Sequence, residues 1–266
     1  MGIADVVPGV SGGTIAFITG IYYRLINSIS QIKVLVLLKA VFSFKPRKLK
    51  TELSRIDFPL FLPLGLGILI SIFIFSKVVQ QLLESWPGIT YAFFFGLILA
   101  SAVLIFKKSG AIKFEKIIFG VLGFIGAYVL AGLPIVQANH TLGFIFLSGA
   151  LAIIALILPG ISGAFVLLLL GQYEYLITAL HEFNYSVILT FAIGGLMGLL
   201  SFSRLLNLLL HKFRGLTLFF LVGVMLGALR SPASNISANG GFGGEVLVAG
   251  LIGYAMVYFL ERKSNN

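Results

Sequence analysis

Residues 8–14 read PGVSGGT, and residues 159–163 read PGISG. Both lie inside apolar sequence, where these letters are poor choices for an ordinary buried helix. Proline removes a backbone donor and disfavours helix in the residue before it, and glycine weakens a helix interior. The surroundings decide what such a break means. The chain of 266 residues is 59% hydrophobic and 11% charged, with a mean hydropathy of +1.07. A soluble domain carries about 25% charged residues, so this composition describes an integral membrane protein. Cysteine is absent, which excludes a disulfide framework and thiolate chemistry. The formal charge of +10 sits in a few short loops between apolar segments, the pattern set by orientation in a membrane rather than by nucleic acid. The opening MGIADVVPG has neither the basic nor the apolar region of a cleavable signal.

Crossing about 30 Å of hydrocarbon takes roughly 20 apolar residues. Six segments meet or approach that: 58–83, 88–106, 117–136, 184–207, 213–230 and 244–260. Two further apolar regions, 3–29 and 142–180, each contain a Pro-Gly-x-Ser-Gly break. In the second, arms 144–158 and 163–176 are too short to cross comfortably, so the sequence predicts a re-entrant hairpin. Irregular backbone at that depth is tolerated only inside protein or against a water-filled cavity. Basic residues fall on one face in this arrangement: Lys45, Arg47, Lys48, Lys50 and Arg55 in loop 43–57, the lysines of 107–116, His211-Lys212-Phe213-Arg214, and the tail Arg262-Lys263. The opposite face, with ESWPG (84–88), PIVQANHT (134–141) and loop 231–244, is nearly free of them apart from Arg230. The basic loops and C-terminus are therefore expected in the cytoplasm.

The two breaks belong to an internal repeat. At an offset of 151, residues 4–26 align with 155–177 and match at Ala4, Pro8, Gly9, Ser11, Gly12, Gly20, Tyr22, Leu25 and Ile26. At an offset of 127, Gly67, Ser76, Lys77, Gly88, Thr90 and Gly96 align with Gly194, Ser203, Arg204, Gly215, Thr217 and Gly223, and the register continues to Gly123/Gly250 and Gly126/Gly253. Residues 1–136 and 137–266 thus read as two units, each a hairpin followed by three spanning helices. An odd number of crossings inverts the second unit relative to the first. The expected fold is an all-α membrane protein with an inverted-topology repeat, two re-entrant helical hairpins and six spanning helices, a transporter architecture with its site near the midplane.

Ser11 and Ser162 suit the N-caps of the helices that follow the breaks. Helix N-termini aimed into the membrane interior would present N–H groups and a partial positive charge to a phosphate or carboxylate. The candidate phosphate ligands are Ser11, Gly12, Gly13, Thr14, Ser162, Gly163 and Ala164, although such glycines also serve close helix packing. Lys77, Arg204 and Arg24 add charge, with snorkelling to the interface as the alternative for the first two. Asp5 and Glu174 are the acidic residues near the tips and are candidates for proton coupling, with capping or an ion pair as the structural alternative for Asp5. His140, His181 and His211 show no ligand spacing. No metal or other cofactor is called for, and without paired carboxylates or a Ser/His/Asp set hydrolysis lacks a general base.

GIADVVPGVSGGTIAFITGIYYRLI (2–26), with PGISGAFVLLLLGQYEYLI (159–177) as its second copy, resembles the bacterial polyprenyl-phosphate transporter family. The match to its first motif runs through Asp5, Pro8, Gly9, Ser11, Gly12, Gly13, Thr14, Gly20, Tyr22 and Arg24. The resemblance implies return of undecaprenyl phosphate, a polyprenyl phosphate lipid, from the outer to the inner leaflet of the bacterial cytoplasmic membrane for cell-wall synthesis. Family members have a further apolar stretch before GIADVVPG; its absence here leaves the first hairpin without the arm that 142–158 gives the second, as expected of a misassigned start or a trimmed chain. Two rivals are weighed against this reading, a small-anion or ion-coupled transporter and an undecaprenyl-pyrophosphate phosphatase. The phosphatase motif continues with arginine where Gly12 and Gly163 stand, and it uses intramembrane glutamates absent here. The sequence leaves open whether the chain forms a homo-oligomer.

Overall fold

The computed structural model describes residues 1–2, 11–32, 54, 56–133, 139–241 and 243–264. Among them it is all helical, with twelve helices. They are α1 Gly12–Ile18, α2 Tyr22–Ser30, α3 Phe58–Ser85, α4 Pro87–Lys108, α5 Phe114–Leu130, α6 Leu142–Ile157, α7 Gly163–Leu169, α8 Tyr173–His181, α9 Tyr185–Lys212, α10 Arg214–Ala228, α11 Arg230–Ala238 and α12 Gly244–Ser264. Asp5, the first Pro-Gly pair and most of the basic loop 43–57 lie outside the described residues.

Helix starts follow local chemistry. Asp57 caps α3 by accepting from the Leu60 N–H at 3.2 Å, with Pro59 in the first turn where a missing donor costs nothing. Asn184 caps α9 in the same way through the Val187 N–H at 3.4 Å. The bounds of α1 and α7, and of α2 and α8, recur 151 residues apart, and those of α3 and α9 recur 127 residues apart.

Among the described residues three helices are long and apolar enough to cross a bilayer: Pro87–Lys108, Tyr185–Lys212, and Arg214–Ala238, in which α10 runs on through Leu229 into α11. The other expected spans also form helices, α3, α5 and α12, but their described apolar stretches are shorter, such as Phe58–Ser71 and Gly244–Phe259. Large apolar side chains stand fully outward along α3 and α12, with Leu62 63% and Leu251 68% exposed. Such continuous apolar surface is at home only against lipid.

The expected arm 163–176 is not one helix. It stops at Leu169, and α8 leaves at 104° to α7. Gly171 at the corner has φ +63°, and Gly20 between α1 and α2 has φ +74°. A left-handed residue ends an α-helix, and glycine adopts it without steric cost.

The long helices pack crosswise in sequence, α4 against α12 and α5 against α10, while α6 lies along α9. A methyl group at Gly96 would overlap the Gly250 carbonyl, and one at Gly223 the Gly120 carbonyl. Small residues let these backbones approach closely, which is how helices associate where water supplies no hydrophobic drive. Tyr22, Ile26, Ile98, Leu218 and Met225 form the buried core joining α2, α4 and α10.

Candidate phosphate-binding site

The two breaks meet. Pro159 keeps Leu158 extended at φ −69° and ψ 126°, so α6 ends and its last carbonyls need partners from outside the helix. The Ser11 hydroxyl lies 3.1 Å from the Leu156 oxygen and 3.0 Å from the Leu158 oxygen, donating its one proton to either. It also accepts from the Gly13 N–H at 3.0 Å. Tyr22, fully buried, donates to the Ile157 oxygen at 3.2 Å. In the other direction the Gly160 N–H donates to Thr14 Oγ1 at 2.9 Å. Ser11 and Thr14 are inaccessible to solvent. Gly12, Gly13 and Gly163 are buried with them, and Ala164 is half-buried.

The first-turn donors are partly engaged by their own caps. The Thr14 N–H bonds the Ser11 carbonyl, the Val166 N–H bonds the Ser162 carbonyl, and the Phe165 N–H reaches Ser162 Oγ at 3.4 Å. In this conformation the tips bind each other rather than standing open.

The predicted cations do not converge on the tips. Arg24, 56% exposed, makes a two-pronged pair with Asp57, both contacts at 2.7 Å. Asp57 also accepts from the Ser28 hydroxyl at 3.3 Å. The Arg24 hydrogen bond holds the Asp57 carboxyl below its usual pKa; desolvation opposes this, while the Arg24 charge, the Leu60 N–H and Ser28 assist. Arg204 donates to the Ser30 and Ile32 carbonyls at 3.4 and 3.0 Å, capping the C-terminal end of α2. Its repeat counterpart Lys77 is exposed on α3, and Glu174 is exposed in the first turn of α8. Arg230, the exception in the charge map, caps α5 through the Tyr128 carbonyl at 2.9 Å. His140 bonds Gln172 at 3.3 Å and stacks on Tyr175. Among the described residues no three His, Cys, Asp or Glu side chains group as metal ligands.

Sequence reading missed a cavity of about 240 Å³ beside the first hairpin corner, lined by Gly20, Tyr22, Tyr23, Ser101, Lys108 and Arg214 among apolar residues. Arg214 sits over the Tyr23 ring, 5.3 Å from its centroid. Tyr23 and Arg214 also border an outer recess that holds Arg24 and His211. Lys108 and Arg214 are visible in the sequence only as loop charges; nothing there puts them on one rim. Nothing in the sequence marks Asp57 as the partner of Arg24.

The family described as VCA0040-like, undecaprenyl phosphate translocase-like, matches residues 1–236. A polyprenyl-phosphate transporter of Vibrio cholerae is 43% identical over 229 residues, covering 86% of this chain and 73% of that one. A polyprenyl-phosphate transporter of Staphylococcus aureus is 28% identical over 282 aligned residues, covering 98% and 93%. No solved structure matches the chain. With a match that runs from its first residue through both breaks, the chain belongs to the undecaprenyl phosphate translocase-like family.

Proposed function

We propose that this protein carries polyprenyl phosphate, undecaprenyl phosphate in the cell, from the outer to the inner leaflet of the bacterial cytoplasmic membrane. It does so by alternating access of a phosphate site at the paired tips, between two inverted units, 1–136 and 137–266. Each unit supplies one re-entrant hairpin and three spanning helices. The basic loops and the C-terminus face the cytoplasm. The observation that carries the reading is the contact between the two Pro-Gly-x-Ser-Gly breaks, buried and reciprocal, which Tyr22 links to an apolar-walled cavity with cations on its rim. A lipid phosphate needs that combination: polar groups for the headgroup and an apolar route for the tail. The relatives' names point to the same substrate class, and the recurrence of helix bounds at two offsets supports the repeat.

Ser11, Gly12, Gly13, Thr14, Ser162, Gly163 and Ala164 form the cradle once the tips part. Arg24, Lys77 and Arg204 attract the headgroup, and Asp5 and Glu174 are the carboxylates available to a coupled proton.

The test is a proteoliposome assay in which a fluorescent polyprenyl phosphate, initially in one leaflet, becomes accessible from the other. Farnesyl phosphate should compete, while inorganic phosphate and chloride should not. Equal competition by either small anion would replace this reading with a small-anion carrier, and release of phosphate from a pyrophosphate lipid would replace it with an enzyme. Single cysteines beside the two tips should react from opposite sides of sealed vesicles; reaction of both from one side refutes the inverted arrangement.

A further inference from the structure

One polar atom in the described structure is buried without a partner, and it is carried by a side chain that lines the cavity. The Tyr23 hydroxyl is shielded from solvent and has no hydrogen-bond partner among the described residues. Its ring carries Arg214 on one face, and it lines both the cavity beside Gly20 and the outer recess beside Arg24. Leaving a buried hydroxyl unpaired destabilises a fold, so an orphan on a side chain that lines a cavity marks a place where something else completes the bond.

The other walls say what that something is. Lys108 and Arg214 give the cavity two cations, and among the described residues that line it none is acidic. Ser101 already donates its proton to the Leu97 carbonyl at 2.6 Å. The remaining lining is apolar, including Phe17, Leu104 and Leu218. The cavity falls below the range of about 300–1,000 Å³ usual for drug-sized ligands, so it suits a headgroup whose attached chain leads out of it.

We infer that Tyr23, Arg214 and Lys108 form a headgroup station for an isoprenoid phosphate monoester, with the Tyr23 hydroxyl donating to a phosphate oxygen beneath the Arg214 guanidinium. This rests on the transport reading and gives it a second phosphate position, away from the tips on the basic side. The repeat sets the station apart from them. At the two offsets Tyr23, Lys108 and Arg214 correspond to Glu174, Asn235 and Pro87. The tip serines are duplicated; the station is not.

Tyr23→Phe tests it, because it deletes only the orphan oxygen. Farnesyl phosphate binding to the full chain in detergent should weaken by about 10-fold or more, as expected for a hydrogen bond to a charged group. Farnesol binding should not change, and the melting temperature without ligand should stay level or rise, since no internal bond is lost. Arg214→Gln should weaken farnesyl phosphate binding as well, and less so when Tyr23 is already Phe. Unchanged affinity in Tyr23→Phe, or an equal loss for farnesol, overturns the station. Inorganic phosphate binding to the wild type as tightly as farnesyl phosphate overturns the lipid assignment. A wild-type protein that transports polyprenyl phosphate with no Tyr23 effect leaves the transport reading standing and refutes the station alone. A wild type that binds no farnesyl phosphate refutes both.

Discussion

Ser11 and Ser162 occupy the same place in duplicated motifs, yet removing their hydroxyls should not cost the same. Ser11 Oγ accepts from the Gly13 N–H at 3.0 Å and donates to a carbonyl at the end of α6, with no solvent access. Ser11→Ala therefore removes an N-cap, worth about 1 kcal/mol, and a hydrogen bond between helices of a membrane protein, on average about 0.6 kcal/mol. It also leaves the Gly13 N–H buried and unpaired, which adds to the cap term, for about 2 kcal/mol in total. Ser162 Oγ has one contact among the described residues, the Phe165 N–H at a long 3.4 Å. Ser162→Ala should cost about 0.5 kcal/mol, because hydrogen bonds weaken steeply at that length. Reversible unfolding in mixed detergent micelles with increasing dodecyl sulfate measures both. The midpoint for Ser11→Ala should shift well beyond that for Ser162→Ala, and Tyr22→Phe should reproduce part of the Ser11 loss. Equal shifts, or a larger one for Ser162→Ala, would refute the reasoning that the first tip is held by the second.

The Arg24–Asp57 pair predicts an exchange, since a phosphate can engage Arg24 only by displacing a carboxylate. Asp57→Asn keeps a good N-cap on α3 and removes the competitor, so farnesyl phosphate should bind about 2- to 5-fold tighter. Arg24→Ala should abolish headgroup binding while the chain still folds; unchanged binding in both removes Arg24 from the site. The pH dependence follows from the lowered Asp57 pKa. The pair's contribution is present above the ordinary carboxylate pKa and is lost as pH falls through the lowered one, so the melting difference between wild type and Asp57→Asn should vanish well below roughly pH 4. For packing, Gly223→Ala drives a methyl into the Gly120 carbonyl and should destabilise by about 1–3 kcal/mol. Gly126→Ala, on an exposed helix face with open space around it, should stabilise by up to about 1 kcal/mol, and the same unfolding assay separates the two.

What was legible in the sequence is what one stretch of chain decides by itself. Pro159 and its glycine neighbour announce a break because proline constrains the residue before it wherever it occurs. The serines announce caps for the same local reason, and both caps are present. Gly20 and Gly171 are visible as a matched pair, but a glycine in apolar sequence marks either a corner or a close packing contact, and the letters do not separate the two. The sequence therefore predicts one arm over 163–176 where the structure turns a corner after Leu169. Partners distant in sequence were hidden altogether. Arg24 and Asp57 are separated by the basic segment, and the pull of Asp57 on Arg24 is invisible among five nearby cations. Charge asymmetry groups Lys108 and Arg214 with the other basic loop residues on one expected face of the membrane. It does not report that α4 and α10 bring the two charges onto one cavity.

That division between duplicated and unique residues bears on how a carrier built this way works. The tip serines, Ser11 and its counterpart Ser162, occur in both halves, so on the transport reading each face of the membrane meets a similar cradle. Lys77 and Arg204 correspond, but the other cations occur once: Arg24 aligns with Tyr175, Lys108 with Asn235 and Arg214 with Pro87. A phosphate therefore meets more positive charge on the basic side than on the other. Unequal affinity at two faces changes how long the lipid dwells at each, but it does not shift the final distribution of a passive carrier, because a ligand moves an equilibrium only through the free-energy difference between its end states. Net return to the inner leaflet must then come from consumption of the lipid on that side or from a coupled ion. The basic station supplies something else, a high occupancy where the next reaction takes the headgroup. Lowering that charge with Arg214→Gln should slow transport at low lipid density while leaving the final leaflet distribution in ion-free vesicles unchanged. A shifted end point would show that the station is part of the driving mechanism.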